Sequence, residues 1–143
     1  MTMNESRALQ SLPHGVEFRF IDRLLSLEPG KSGVGEYSLR GDESFLRGHF
    51  PGQPMMPGVL LLEAAAQLAG TIAQSDPEIP PMPGLKLTAV RGAKILGTAR
   101  PGEVIRLEAR VVGRLNNLVQ AQAWASVNGR LVLETELTMS GEL

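Results

Sequence analysis

Residues 59–74 read Val-Leu-Leu-Leu-Glu-Ala-Ala-Ala-Gln-Leu-Ala-Gly-Thr-Ile-Ala-Gln, an almost unbroken apolar run. Leu and Ala are strong helix formers, and Pro57, just inside the predicted start, suits a first-turn position. The apolar residues surround this helix instead of forming one stripe, which predicts burial on nearly every side. Strand-like runs flank it. Residues 18–28 alternate in part, Pro29-Gly30 turns them, and a second run at 34–40 completes a predicted hairpin. After a proline-rich loop at 76–84 come further strand runs at 85–96, 101–114, 118–128 and 130–139. In the third of these, Val119, Ala121, Ala123, Ala125 and Val127 share one face. Asn128-Gly129 is a strong two-residue hairpin signal, and the closing strand alternates Leu131, Leu133, Thr135, Leu137 and Met139. The expectation is an α+β domain in which an antiparallel sheet wraps around one central helix. Residues 1–14 are expected to form an arm or short helix ahead of it. A sheet of this kind leaves edges to protect, so edge-to-edge pairing into a dimer is expected.

Composition narrows the function. At 143 residues the chain is about one domain, and its 43% hydrophobic and 20% charged residues are those of a globular protein. Fourteen basic residues against fifteen acidic ones, without a cationic run, do not suit nucleic acid. The opening residues carry neither an apolar core nor a basic lead, so no secretory signal is expected. No apolar stretch reaches the roughly 20 residues that span a bilayer. The absence of cysteine excludes a disulfide framework, a Cys-ligated metal and a thiol nucleophile, and makes the cytoplasm the default location.

Two polar residues interrupt the apolar helix. Glu63 and Gln67 are four apart and therefore lie on one face. A carboxylate in such surroundings is costly unless paired or protonated, and burial pushes its proton affinity up, the property a general acid needs. A structural glutamate tied to loop amides is the competing reading. His49, one of two histidines, opens the Gly/Pro-rich loop that feeds the helix. Its neighbours Phe50, Pro51, Gly52, Pro54, Met55, Met56 and Pro57 form a stiff apolar stretch suited to holding an imidazole. Around Gly58 and Val59 the first helical N–H groups lack intrahelical partners, so they suit a carbonyl oxygen that gains charge as an enolate forms. A base at His49, an acid at Glu63 and this oxyanion site describe dehydration or its reverse. No Gly-x-Ser-x-Gly elbow or phosphate loop is present, and two histidines without cysteine are a poor zinc set.

The stretch His49-Phe-Pro-Gly-Gln-Pro-Met-Met-Pro-Gly-Val-Leu-Leu-Leu-Glu63-Ala-Ala-Ala-Gln67 resembles the (3R)-hydroxyacyl-acyl-carrier-protein dehydratases of bacterial fatty acid synthesis, the FabZ type. It matches every specified position of their signature H-F-P-G-x-P-x-x-P-G-V-L-x-x-E-A-x-A-Q. Weaker similarity at Leu12-Pro13-His14, Asp22-Arg23, Gly48 and Arg100-Pro-Gly-Glu103 extends the likeness over residues 12–140. The resemblance implies a hot-dog fold, dimers that assemble in threes into hexamers, and His49 of one chain facing Glu63 of the other. It implies that Gln67 supports the carboxylate and the Gly58 amide receives the thioester carbonyl. It further implies an acyl tunnel lined by Phe50, Pro51 and Met56, an acyl carrier protein as partner, and no metal or organic cofactor. Two departures stand out. Gly15-Val16-Glu17 replaces the usual Arg-aromatic-Pro, and Leu96-Gly97-Thr98-Ala99 replaces a basic stretch near the tunnel mouth. Lys94, Arg100 and Arg114 are left as candidate carrier contacts. A hot-dog thioesterase would not need His49, and a non-catalytic acyl-binding subunit would not need the pair, so the intact pair favours the dehydratase.

Overall fold

The computed structural model describes residues 1–142. Its order is α1 (Met3–Gln10), β1 (Arg23–Glu28), β2 (Ser32–Ser38), α2 (Gly58–Ala73), β3 (Lys86–Ile95), β4 (Val104–Leu115), β5 (Leu118–Val127) and β6 (Arg130–Ser140), with short 3-10 turns at Val16–Phe18 and Ser44–Leu46. The six strands form one sheet in the order β1-β2-β4-β5-β6-β3, every neighbouring pair antiparallel. The sheet wraps around α2, which packs against β2, β3, β4, β5 and β6. This is the hot-dog arrangement.

Small residues let the helix lie close to the sheet. Ala64, Ala65 and Ala69 on α2 and Ala121, Ala123 and Ala125 on β5 are all fully buried, and Leu61, Leu68 and Ile72 fill the space between with Ile105, Leu107, Leu133 and Leu137. The predicted inward face of β5 is buried at all five positions. The Asn128-Gly129 turn has φ of 51° and 76°, the double positive φ of a type I′ hairpin. The arm is a helix: Thr2 and Glu5 close a reciprocal capping box at the start of α1, which rests on β1.

Several expectations need correction. Pro57 is the N-cap of α2, not a first-turn residue; its carbonyl accepts from the Leu60 and Leu61 amides. Residues 18–22 do not pair as a strand. The Phe20 amide donates to Oε1 of Gln67 at 2.8 Å, and Phe18 offers its carbonyl to Nε2 of the same side chain at 2.8 Å, so a helix amide takes the groups that a strand ladder would use. In β6 the alternation breaks at the start. A bulge opposite Ala125 and Ser126 turns Leu131 outward and Val132 inward. Finally, α2 is not sealed all round. It is buried over most of its length, but Val59 is exposed and Glu63 and Gly70 are partly open along one side.

Candidate active site

That open side of α2 floors a cavity of about 770 Å³. Glu63, Ala66, Gln67, Gly70, Thr71 and Gln74 line it, a spacing of three and four that traces one helical stripe. From Glu63 to Gln74 the stripe covers eleven residue steps, about 16 Å along the helix axis. Residues 11–14 after α1 form one wall, and the 81–87 segment leading into β3 forms another. Most of the exposed lining is carbon, so the trough suits an apolar chain.

The Glu63 side chain is only one-quarter exposed, at 25%. Gln67 donates its Nε2 to Oε2 of Glu63 at 3.1 Å and to the Phe18 carbonyl at 2.8 Å, while its Oε1 accepts from the Phe20 amide. Gln67 is itself nearly sealed from solvent. An amide held at three points is costly to turn away, which restrains the carboxylate it contacts. The surroundings of Glu63 are therefore less apolar than the helix pattern alone implies. Oε2 of the same carboxylate also faces Nε2 of His14 at 3.5 Å. His14 entered the sequence reading only through the Leu12-Pro13-His14 likeness. The signal that would have found it is that it is one of two histidines in the chain.

His49 is held separately. Its Nδ1 lies 3.0 Å from the Met55 carbonyl. A carbonyl only accepts, so Nδ1 carries a proton; in the neutral ring the lone pair is then on Nε2, the form of imidazole that acts as a base. Phe50 packs edge-on against the His49 ring at 4.6 Å and adopts φ of 61°, a left-handed conformation rare outside glycine. Upstream, the loop is anchored by Glu43. Its carboxylate accepts from the Tyr37 hydroxyl at 2.7 Å, the Arg40 amide at 3.0 Å and the Gly41 amide at 2.7 Å. Burial pushes this carboxyl up, but those hydrogen bonds outweigh it and hold Glu43 below its ordinary value. Burial, with Glu43 beside it, raises the Tyr37 phenol well above its usual range. Downstream, the Met56 amide donates to Ala99 at 2.9 Å and fixes the loop where α2 begins.

Within one protomer these parts do not all meet. No hydrogen bond or ion pair joins His49 to Glu63 among the described residues, and His49 does not line the cavity that Glu63 lines. Phe50 and Pro51 are exposed, and Met56 is packed into the core; none of the three lines the cavity. A Cβ on Gly58 would meet the Ile95 side chain at 2.7 Å, so glycine is what lets the end of β3 approach the helix start. The cationic candidates divide. Lys94 pairs with Glu134 at 3.4 Å near the helix start, and Arg100 follows Ala99 there. Arg114 instead donates to the Ala73 carbonyl at 2.8 Å and caps the far end of α2, so the three do not form one patch.

Comparison with known proteins adds a further line. A family model described as a FabA-like domain matches residues 12–136. A protein named 3-hydroxyacyl-[acyl-carrier-protein] dehydratase FabZ from Chloroflexus aggregans is 39% identical over 137 residues, 96% of this chain and 93% of that protein. One of the same name from Bacillus pumilus is 36% identical over 139 residues, 96% of each chain. Among solved structures, the dehydratase heterocomplex ApeI:P from Xenorhabdus doucetiae aligns with a TM-score of 0.80 over 97% of this chain and 91% of that one; at 13% identity this likeness concerns the fold.

Proposed function

The chain belongs to the FabZ-type dehydratases of the FabA-like family, and from that membership we propose how its own residues carry out the reaction. It is a hydro-lyase that converts a 3-hydroxyacyl thioester, carried on acyl carrier protein, to the 2-enoyl thioester in fatty acid biosynthesis. The substrate is the (3R) epimer and the product the trans alkene.

Nε2 of His49 takes the proton from C2. The C2–H electron pair becomes the C2=C3 double bond, the C3–O bond breaks, and Glu63 delivers a proton to the departing hydroxyl, which leaves as water. The Gly58 amide, with Val59 beside it, donates to the thioester oxygen while C2 carries negative charge. Gln67 holds the carboxylate in place. The acyl tail runs along the α2 stripe past Gly70 toward Gln74, and Phe50 and Pro51 cover its mouth from the partner protomer. Lys94 and Arg100, at the helix-start end, face the acidic carrier. No metal or organic cofactor takes part. The protein works in the cytoplasm as a dimer or a trimer of dimers; no helix among the described residues is long and apolar enough to cross a membrane.

The observation that carries this reading is the contact of His49 Nδ1 with the Met55 carbonyl, which in the neutral ring leaves Nε2 as the base. With Nδ1 committed to Met55 and no partner at Glu63 within its own protomer, Nε2 is a free base that needs an acid from elsewhere. A second copy supplies it. Mixing chains tests this directly. His49→Ala and Glu63→Gln should each be inactive alone. Co-assembled at random, they should recover about a quarter of wild-type activity, because half the dimers then hold one intact site of two. A mixture that exchanges subunits yet stays inactive would overturn the two-chain pair.

A further inference from the structure

We infer that His14 is a positioning residue for Glu63, holding one carboxylate oxygen so that the other is left to handle the proton; this deepens the dehydratase reading and rests on it. Nε2 of His14 lies 3.5 Å from Oε2 of Glu63, and Gln67 donates to that same oxygen at 3.1 Å. Both neighbours thus converge on Oε2 of a carboxylate that lines the cavity, and among the described residues no hydrogen bond goes to Oε1. A carboxylic acid with one oxygen held by the Gln67 amide and faced by the His14 ring presents the other in a fixed direction.

The His14 ring is built to do this. Its Nδ1 is buried with no hydrogen-bond partner. If Nε2 carries the proton, the group left unpaired at Nδ1 is an acceptor, and the N–H is aimed at Glu63. The opposite tautomer would bury an N–H without an acceptor and turn a lone pair toward a carboxylate, which is the worse arrangement on both counts. The backbone around it is fixed too. Arg19 donates through Nη2 to the carbonyls of Leu12 and His14 at 3.2 Å each, winding residues 12–19 into a closed loop. Phe18 stacks on the His14 ring at 6.2 Å with 24° between planes. The same Gln67 that holds Glu63 also holds Phe18 and Phe20. One side chain therefore registers the segment presenting His14 to the carboxylate it contacts. Lys86 is the other charged residue on the cavity wall, and it shares no ion pair with Glu63.

Three His14 variants and one spectrum, taken with and without Glu63→Gln, decide the matter. His14→Phe keeps a flat ring but has no donor, and should lower kcat on the order of tenfold with KM within twofold. His14→Gln places an amide N–H near the former Nε2 and should recover most of that loss. Both should melt within a few degrees of wild type, and should Phe not fold, the Gln variant carries the comparison with His14→Ala. Wild-type kcat in His14→Phe or His14→Ala, or a loss that His14→Gln does not relieve, would mean that His14 only packs the wall. The spectrum is independent of activity. The 15N resonance of His14 Nε2 should move in Glu63→Gln, and an unmoved resonance would overturn the contact. A wild type that fails to dehydrate any carrier or coenzyme A substrate would sink the dehydratase reading, while the resonance would still decide this one.

Discussion

Glu43 contributes no chemistry, yet it sets the loop on which His49 stands. Three donors occupy three of the four lone-pair sites of its carboxylate, two of them backbone amides within the loop itself. Its proton affinity is lower in the folded chain than in the unfolded one. Stability from this group is therefore fully present above its ordinary value of 4.5 and is lost as pH falls through the lower folded value. Glu43→Gln should melt a few degrees below wild type near neutral pH, and the gap should close as pH drops below 4.5. Thermal melts across that range check it; a gap that persists unchanged in acid would show that packing, not ionisation, matters there. Activity should fall as well, since the loop's start is loosened, with His49 itself unaltered.

At the scale of the element, α2 combines two demands that conflict. A helix interior disfavours glycine, yet Gly70 sits in the middle of the stripe that floors the cavity. A Cβ there would meet nothing closer than Sδ of Met139 at 3.7 Å, an ordinary contact. Gly70→Ala should therefore stabilise the fold by about 0.4–1 kcal/mol, measured by denaturant unfolding. Gly70→Leu would reach into the trough. It should slow turnover of long acyl substrates by more than tenfold while short ones pass, if the tail lies along this stripe. Equal loss at all lengths would place the tail elsewhere.

For the whole molecule the question is what covers β3. It is an edge strand, exposed along nearly its full length, with Val90 at 42% and Ile95 at 52% exposed; Leu96 and Val59 lie open beside it. An uncovered apolar edge is a pairing surface. Light scattering on eluted protein should give the mass of a dimer or a multiple of it. Val90→Lys should shift the mass toward the monomer and remove at least nine-tenths of the turnover, because each monomer then holds His49 and Glu63 in separate places. A monomeric variant with full activity would rule out a site shared between chains.

The sequence by itself determined much of this. Periodicity suffices for α2 and for the strands after it, because a helix that is apolar all round and strands with period two have few other places to go. The polar exceptions Glu63 and Gln67, and the run from His49 to Gln67, pointed to the site, since chemistry shows as polar groups where burial predicts none. What the pattern could not show was which groups pair across the chain. Residues 18–22 alternate like a strand, but Gln67 from α2 takes the Phe18 carbonyl and the Phe20 amide. Leu131 alternates correctly, but a bulge reverses it. Phe50, Pro51 and Met56 adjoin His49 in sequence, whereas the cavity is lined by residues spaced along one helix face and by segments distant in the chain. His14 lies 49 positions from Glu63 and reaches it only after residues 12–19 fold around Arg19. Local propensity acts over a few residues, and these contacts exist only once the sheet has closed around its helix.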